Sequence, residues 1–187
     1  ISSSIFMPLT YGGNIRTIND AKRLFNLGIE KICLKSLFFE HQAIVTEIVQ
    51  DFGSQSVSLC LDYLIKSEEI VVLEKGRNRI SEKSFKDTLT CAENLGIGEL
   101  ILQNVERDGG LEGYDFTTLE IAQDHFKSPI CVVGGCASLN NMNEAFARGA
   151  SAAGAGTLFS YVGPLMGKLP NYPSEREKFE LLKDLQL

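Results

Sequence analysis

One stretch of this chain is written twice. Residues 129–159 read PICVVGGCASLNNMNEAFARGASAAGAGTLF, an apolar strand closed by Gly134-Gly135, a helical pattern, and a small-residue strand. The helical pattern runs through Met142, Ala145, Phe146 and Gly149. The same order stands near the start, where Pro8-Leu9-Thr10-Tyr11 meets Gly12-Gly13, a helix runs to Gly28, and Lys31-Ile32-Cys33-Leu34-Lys35 follows. Gly13 matches Gly135, Gly28 matches Gly149, and Ser36-Leu37-Phe38 matches Thr157-Leu158-Phe159, with one gap. An internal repeat constrains architecture more than any local propensity. Two strand–helix–strand units about 120 residues apart, each with a glycine turn before its helix, predict a parallel barrel made of two similar halves.

Each Gly-Gly pair has two readings. It makes a tight turn and nothing more, or it lets the backbone approach a ligand while the next helix start offers free N–H groups to an anion. Two pairs at equivalent places favour the second, as paired phosphate sites.

The periodicity predicts strands at 5–11, 31–36, 57–64, 99–105, 130–134 and 153–159. Helical patterns fill the gaps at 18–27, 42–51, 81–94, 116–125 and 140–147. A last helix, 174–187, opens with a capping box, Ser174 to Glu177. A small hairpin is expected at 70–73 and 78–80, around Lys75-Gly76. Alternating strands and helices give an α/β fold of the (β/α)8 TIM-barrel class. Only six strand–helix units are present in 187 residues, whereas a closed barrel takes eight and about 250. We therefore expect an incomplete barrel, a single domain over 1–187 lacking its N-terminal portion, with the first two units the absent ones because the chain starts on Ile1.

Composition removes several function classes. A net charge of −6 without a basic run argues against a nucleic-acid surface, and no apolar run nears the roughly 20 residues of a membrane span. Neither His41 nor His125 has a partner at ligand spacing, so neither a zinc site nor a Ser-His-Asp triad is expected, and no cofactor. The five cysteines form no CxxC and sit mostly in apolar strands, which fits small core residues in a reducing cytoplasm.

Strand alternation assigns faces. Ile32 and Leu34, Leu59 and Leu61, and Leu100 and Leu102 go toward the helices. Lys31, Cys33 and Lys35, then Ser58, Cys60 and Asp62, then Glu99, Ile101 and Gln103, then point into the barrel. Lys35, Asp62 and Gln103 fall at the C-terminal mouth, where barrel enzymes do their chemistry. Lys31 and Glu99 fall at the other end. Asp62 is either a loop-capping or ion-paired carboxyl, or a catalytic one. Lys31 and Glu99 are either a buried ion pair, which is weak evidence for stability, or something with another role.

These residues resemble the cyclase subunit of imidazole glycerol phosphate synthase, the HisF family. The marks are PLTYGGNIRT at 8–17, FGSQSV at 52–57, Asp62 closing its strand, GELILQNVERDGGLEGYD at 98–115, and the Gly134-Gly135 turn. The resemblance implies an eight-stranded barrel that takes ammonia from a glutaminase subunit docked on its N-terminal face. Lys31 and Glu99 fall on two positions of the charged gate at that entrance. Asp62 matches one of two aspartates that act as general acid and base on a bis-phosphorylated small-molecule substrate. The phosphate and substrate positions implied are Gly13, Asn14, Lys35, Ser36, Gln103, Asp108, Gly109, Gly134, Gly135, Gly156 and Thr157.

The chain departs from that pattern in places. Asn14 stands where a third glycine is usual, Lys35 for Asn, Gln103 for Thr, and Val133 for Ser. Each lost phosphate contact is worth about 1–3 kcal/mol. Gly163-Pro164 and Asn171-Tyr172-Pro173-Ser174 resemble instead a paralogous group tied to surface-glycan biosynthesis, lipopolysaccharide included. There, barrel and glutaminase hand ammonia to a sugar amidotransferase acting on a nucleotide-linked sugar. Altered phosphate turns with an intact gate imply this conduit role. Intact Asp62 and Asp108-Gly109 imply the cyclase of histidine biosynthesis.

Overall fold

The computed structural model describes residues 7–74, 79–162 and 167–183. Among these residues seven strands and eight α-helices alternate, with a short ribbon near the end. The first half contains β1 (Thr10–Gly12), α1 (Ile18–Asn26), β2 (Lys31–Leu34), α2 (Ser36–Glu40), α3 (Gln42–Phe52), β3 (Val57–Lys66) and β4 (Glu69–Leu73). Next come α4 (Phe85–Asn94), β5 (Glu99–Asn104), α5 (Phe116–His125), β6 (Ile130–Val133), α6 (Leu139–Ala147) and β7 (Ala152–Gly154). The chain ends with α7 (Thr157–Ser160), the ribbon β8 (Tyr161–Val162) and β9 (Gly167–Lys168), and α8 (Glu175–Leu182).

Six strands lie in the order β1-β2-β3-β5-β6-β7, every neighbouring pair parallel. This is an incomplete (β/α)8 barrel whose edges are β1 and β7. Strand β3 is longer than its neighbours. Its first part pairs with β2 from Val57 to Leu59, and its outer part, Asp62 to Lys66, takes β4 antiparallel in the space beyond the end of β2.

The two faces of the sheet have different surroundings. Ile32, Leu34, Leu59, Leu61, Leu100 and Leu102 are buried against the helices. They meet Phe38, Val45, Ile48, Leu89, Leu119 and Met142 in one continuous core. Each such side chain contributes about 1.5–3 kcal/mol through removal from water. On the other face Lys31, Cys33, Ile101, Gln103, Cys131 and Val133 are only half-buried. That face is the barrel interior, open here along one side.

Side-chain caps set the helix starts. Thr17 accepts from the Asp20 N–H and Asp20 reaches back, a capping box on α1. Ser84, Asp115 and Ser138 cap α4, α5 and α6 by accepting from the N–H groups of Asp87, Thr118 and Asn141. The Ser174–Glu177 box caps α8. Gly28 and Gly149 follow the ends of α1 and α6 with φ of 83° and 86°, so the repeat carries the same helix stop twice.

The structure corrects several boundaries, beginning with the first strand, which among the described residues is only Thr10–Gly12. Ser36 and residues 157–159 are not strand ends; short helices, α2 and α7, begin at Ser36 and Thr157. The correction is itself symmetric, since the repeat includes a helical turn after its second strand. Helix α4 starts at Phe85 instead of residue 81, because the capping Ser84 fixes its first turn. The expected return of the chain beside 70–73 is present, with an antiparallel Leu73–Ile80 bridge and N–H donation from Ser81 to the Val72 carbonyl and from Glu74 to the Arg79 carbonyl, and the segment also joins the main sheet through β3. The expected hairpin tip at Lys75-Gly76, residues 5–6 of the first strand, and Gly163-Pro164 lie outside the described residues. No helix among the described residues is long and apolar enough to cross a membrane.

Candidate active site at the mouth of the open barrel

The register of β2, β3 and β5 fixes where each inward side chain sits. Cys33 pairs with Ser58, and Ser58 with Glu99, so Lys31 and Glu99 share the N-terminal end. Lys31 Nζ meets Glu99 Oε2 at 2.5 Å, with side chains 29% and 19% exposed. An ion pair this accessible is compact but not sealed from water.

At the C-terminal end Lys35 follows the last residue of β2, and Asp62 and Gln103 are paired across β3 and β5. Lys35 Nζ forms an ion pair with Asp62 Oδ2. The Asp62 carboxyl is 5% exposed and the Lys35 side chain 33%, so water reaches the pair from the lysine side. Cys60 Sγ lies 3.7 Å from Asp62 Oδ1 and 3.5 Å from Gln103 Oε1. Gln103 Nε2 in turn donates to Asp108 Oδ2 at 3.4 Å. A polar line therefore crosses the mouth from Lys35 through Asp62, Cys60 and Gln103 to Asp108.

Each glycine turn forms one wall of a cavity. The first, about 690 Å³, is lined by Gly13, Asn14, Arg16, Lys35, Ser36 and Cys60, among others. Asn14 occupies the left-handed region with φ of 52°, a conformation asparagine adopts more readily than most residues. Asp62 does not line this cavity; it lies behind Lys35 and Cys60, which do.

The second cavity is small, about 20 Å³, between Asp108, Gly109, Gly134, Gly135, Gly156 and Thr157. That is room for one water. It is small because the loop after β5 folds over the turn. Gly113 N–H donates to the Gly135 carbonyl at 2.7 Å, and Arg107 donates to the carbonyls of Gly113 and Tyr114 at 3.1 and 3.0 Å. Asn104 Oδ1 accepts from the N–H groups of Glu106 and Arg107, and the Tyr114 hydroxyl donates to the Gly154 carbonyl at 3.0 Å. A Cβ on Gly135 would stand 2.3 Å from the Gly113 oxygen, and one on Gly134 2.5 Å from the Asn104 oxygen. Both positions need glycine for this approach as well as for positive φ.

Alternation and repeat matching pointed to Lys31, Glu99, Lys35, Asp62, Gln103 and both turns. Residue types alone did not single out Asn104, Arg107 and Tyr114, which hold the loop over the second turn, although all three lie in the 98–115 stretch. Cys33 and Cys60, small core residues by type but turned inward by alternation, are half-buried on the barrel interior and line the 690 Å³ cavity. A larger groove of about 740 Å³ lies elsewhere, lined by residues of β4 and the starts of α4 and α5. It includes neither glycine turn, nor Lys35 or Asp62.

Among the described residues no three His, Cys, Asp or Glu side chains are grouped to hold a metal ion. The arrangement sets one open cavity at the first glycine turn, a covered second turn, an ion-paired carboxylate at the mouth, and a second ion pair at the opposite end of the barrel interior.

Residues 1–165 match the family model described as histidine biosynthesis protein. A Vibrio vulnificus (strain YJ016) protein named "Putative imidazole glycerol phosphate synthase subunit hisF3" is 34% identical, over 98% of this chain and 72% of its own length. The "Imidazole glycerol phosphate synthase subunit HisF" of Dictyoglomus thermophilum (strain ATCC 35947 / DSM 3960 / H-6-12) is 31% identical, over 94% of this chain and 70% of its own. A Campylobacter jejuni subsp. jejuni serotype O:2 (strain ATCC 700819 / NCTC 11168) protein carrying the hisF2 form of that name is 32% identical, over 86% and 64% respectively.

Proposed function

The chain belongs to the histidine biosynthesis protein family, on its HisF-like side, and from that premise we propose that it is an ammonia-receiving barrel subunit partnered by a glutaminase. Its ammonia goes to amidation of a nucleotide-linked sugar, through a sugar amidotransferase, instead of to closure of an imidazole. The observation that carries this reading is the Lys35–Asp62 ion pair. A general acid must give up a proton to the substrate in the transition state. An aspartate whose Oδ2 is held by an ammonium, and which lies behind the cavity wall, is poorly placed to do so.

Two further features support the same reading. The second glycine turn is covered by the 107–114 loop and has room for one water, so a bis-phosphorylated substrate finds one open cradle, not two. At the other end the Lys31–Glu99 pair stands across the interior where ammonia would enter, and it is not sealed from water, so a small neutral molecule can reach it.

The cyclase of histidine biosynthesis is the second reading, favoured by one arrangement. Asp62, Gln103 and Asp108 are connected across the mouth, with Gly109 and Thr157 beside the second turn. In that reading a substrate phosphate displaces the loop and Lys35 swings from Asp62 to the substrate.

The partner half of the proposal is tested by reconstituting the full-length protein with a HisH-type glutaminase subunit and following isotopic amide nitrogen from glutamine. Stoichiometric association is expected. Reversing the gate charge with Lys31→Glu should lower glutamine-driven transfer while leaving reaction with added ammonium salt nearly unchanged. Failure of the two subunits to associate, or equal loss with both nitrogen sources, would overturn it.

A further inference from the structure

The 740 Å³ groove away from the mouth has no part in the reading above, and its volume is in the range of binding pockets, about 300–1,000 Å³. Its walls are largely apolar, with Ile65, Ile70, Val71, Ile80, Phe85 and Ile121 among them. Ile65 and Ile80 are 40% and 57% exposed, so two large aliphatic side chains of the groove meet water. One wall is the edge of a strand.

Strand β4 uses its two edges differently. Along the inner edge it pairs with β3 over its whole length, from Asp62–Leu73 to Lys66–Glu69. Along the outer edge the returning chain pairs at one end only. Leu73 bridges Ile80, and the Val72 carbonyl accepts from the Ser81 N–H at 2.9 Å. The chain then leaves the strand, because Ser84 caps α4. In an antiparallel strand alternate residues turn their backbone groups to the same edge, so those of Ile70 point outward with those of Val72. Among the described residues no strand pairs with Ile70 on that side. Unpaired N–H and C=O groups on an edge are a template for a further strand. The free stretch, Glu69 to Val71, is about 10 Å long.

The rim is acidic. Glu68, Glu69 and Glu82 line the groove, are exposed, and have no ion-pair partner among the described residues. Asp115 is taken up in capping α5, through the N–H and hydroxyl of Thr118. Of the two lysines on the groove, Lys83 turns its Nζ to Cys91 Sγ at 3.7 Å, and Lys86 lies in the first turn of α4. Carboxylates therefore outnumber ammonium groups around the opening, on a chain whose net charge is −6. We propose that this groove takes a short extended segment of a partner protein, apolar residues alternating with lysine or arginine, as an added strand on the outer edge of β4. The backbone of the segment pairs with Ile70, every second side chain packs on the apolar wall, and the basic side chains meet Glu68, Glu69 and Glu82. The docking is independent of whether the mouth serves a cyclase or a conduit, since neither Lys35 nor Asp62 lines the groove.

The test titrates the full-length protein with a dye-labelled, acetylated and amidated peptide alternating valine with lysine, read by fluorescence anisotropy and by amide hydrogen exchange. Saturable binding is expected, weaker as salt rises, with exchange slowed at the Ile70 amide. Glu68→Lys combined with Glu69→Lys should weaken it about fivefold or more at low salt. Ile70→Pro, which removes an outward N–H and none that faces β3, should weaken it as well, and the paired glutamate variant serves alone if the proline variant folds poorly. The proposal is overturned by absence of saturable binding, by equal binding of a peptide carrying glutamate in place of lysine, or by binding that the paired glutamate variant leaves unchanged. A dimer that forms as protein concentration rises and protects the Ile70 amide without peptide would place a second copy of the chain in the groove and overturn it too.

Discussion

Replacing Lys35 by methionine isolates what the ion pair at the mouth contributes. Methionine keeps the length of the stem and removes the ammonium, leaving the Asp62 carboxylate 5% exposed with a thiol as its remaining close contact. At an effective dielectric of about 20, opposite charges roughly 4 Å apart attract by about 4 kcal/mol before desolvation. Breaking a fully buried pair costs about 3–5 kcal/mol, whereas exposed pairs are worth about 0.2–1. One partner here is buried and the other one-third exposed, so Lys35→Met should cost about 2–3 kcal/mol. Asp62→Asn should cost less, because the freed lysine can turn to water. The double variant should be more stable than the sum of the two losses implies, with a coupling of about 2 kcal/mol. Urea unfolding of the four proteins at neutral pH measures this. Coupling below about 0.5 kcal/mol would show that Lys35 does not hold Asp62, and the argument against a proton-donating Asp62 would fail with it.

Gly135→Ala forces an L side chain into φ of 91° and against the Gly113 carbonyl, so it should lower stability by about 3 kcal/mol or more and loosen the 107–114 loop, seen as faster amide exchange there. Ser84→Ala removes the oxygen that accepts from the Asp87 N–H and should cost about 1 kcal/mol in urea unfolding. Asp20 has its carboxyl pKa lowered first by the Arg16 N–H and then by Thr17, so the stability it adds is present above its unfolded value, about 3.9, and is lost as pH falls through the folded one. The melting difference between wild type and Asp20→Ala should therefore be largest near neutrality and shrink in acid; a difference that grows in acid would contradict the sign.

Much of the fold could be read from the sequence because its signals are local. Leucine and isoleucine alternate with polar residues in β2, β3 and β5, and an alternation of two fixes faces without knowledge of neighbours. The glycines after α1 and α6 mark the same helix stop in both repeats. Sequence reading failed where a segment's state depends on what it packs against. Ser36 and Thr157-Leu158-Phe159 look like strand continuations, Leu and Phe suiting both states, and only the tertiary environment makes them part of α2 and α7. Strand β4 carries no mark of its partner; it joins β3 because β3 outruns β2. The positions of Lys35, Asp62 and Gln103 follow from alternation, but the closure of the second turn by Arg107 and Gly113 depends on a loop conformation that no spacing reveals. Cys33 and Cys60 look like core residues by type, and it is alternation that turns both toward the cavity at the mouth.

The account turns on whether the mouth closes an imidazole ring. The most direct measurement is steady-state turnover of the histidine-pathway substrate by the full-length protein with ammonium salt, before and after Asp62→Asn. The account predicts turnover far below about 1 s⁻¹ and little change on substitution, while glutamine-dependent sugar amidation survives Asp62→Asn. Turnover at about 1 s⁻¹ or faster that vanishes with Asp62→Asn would contradict it and establish the cyclase.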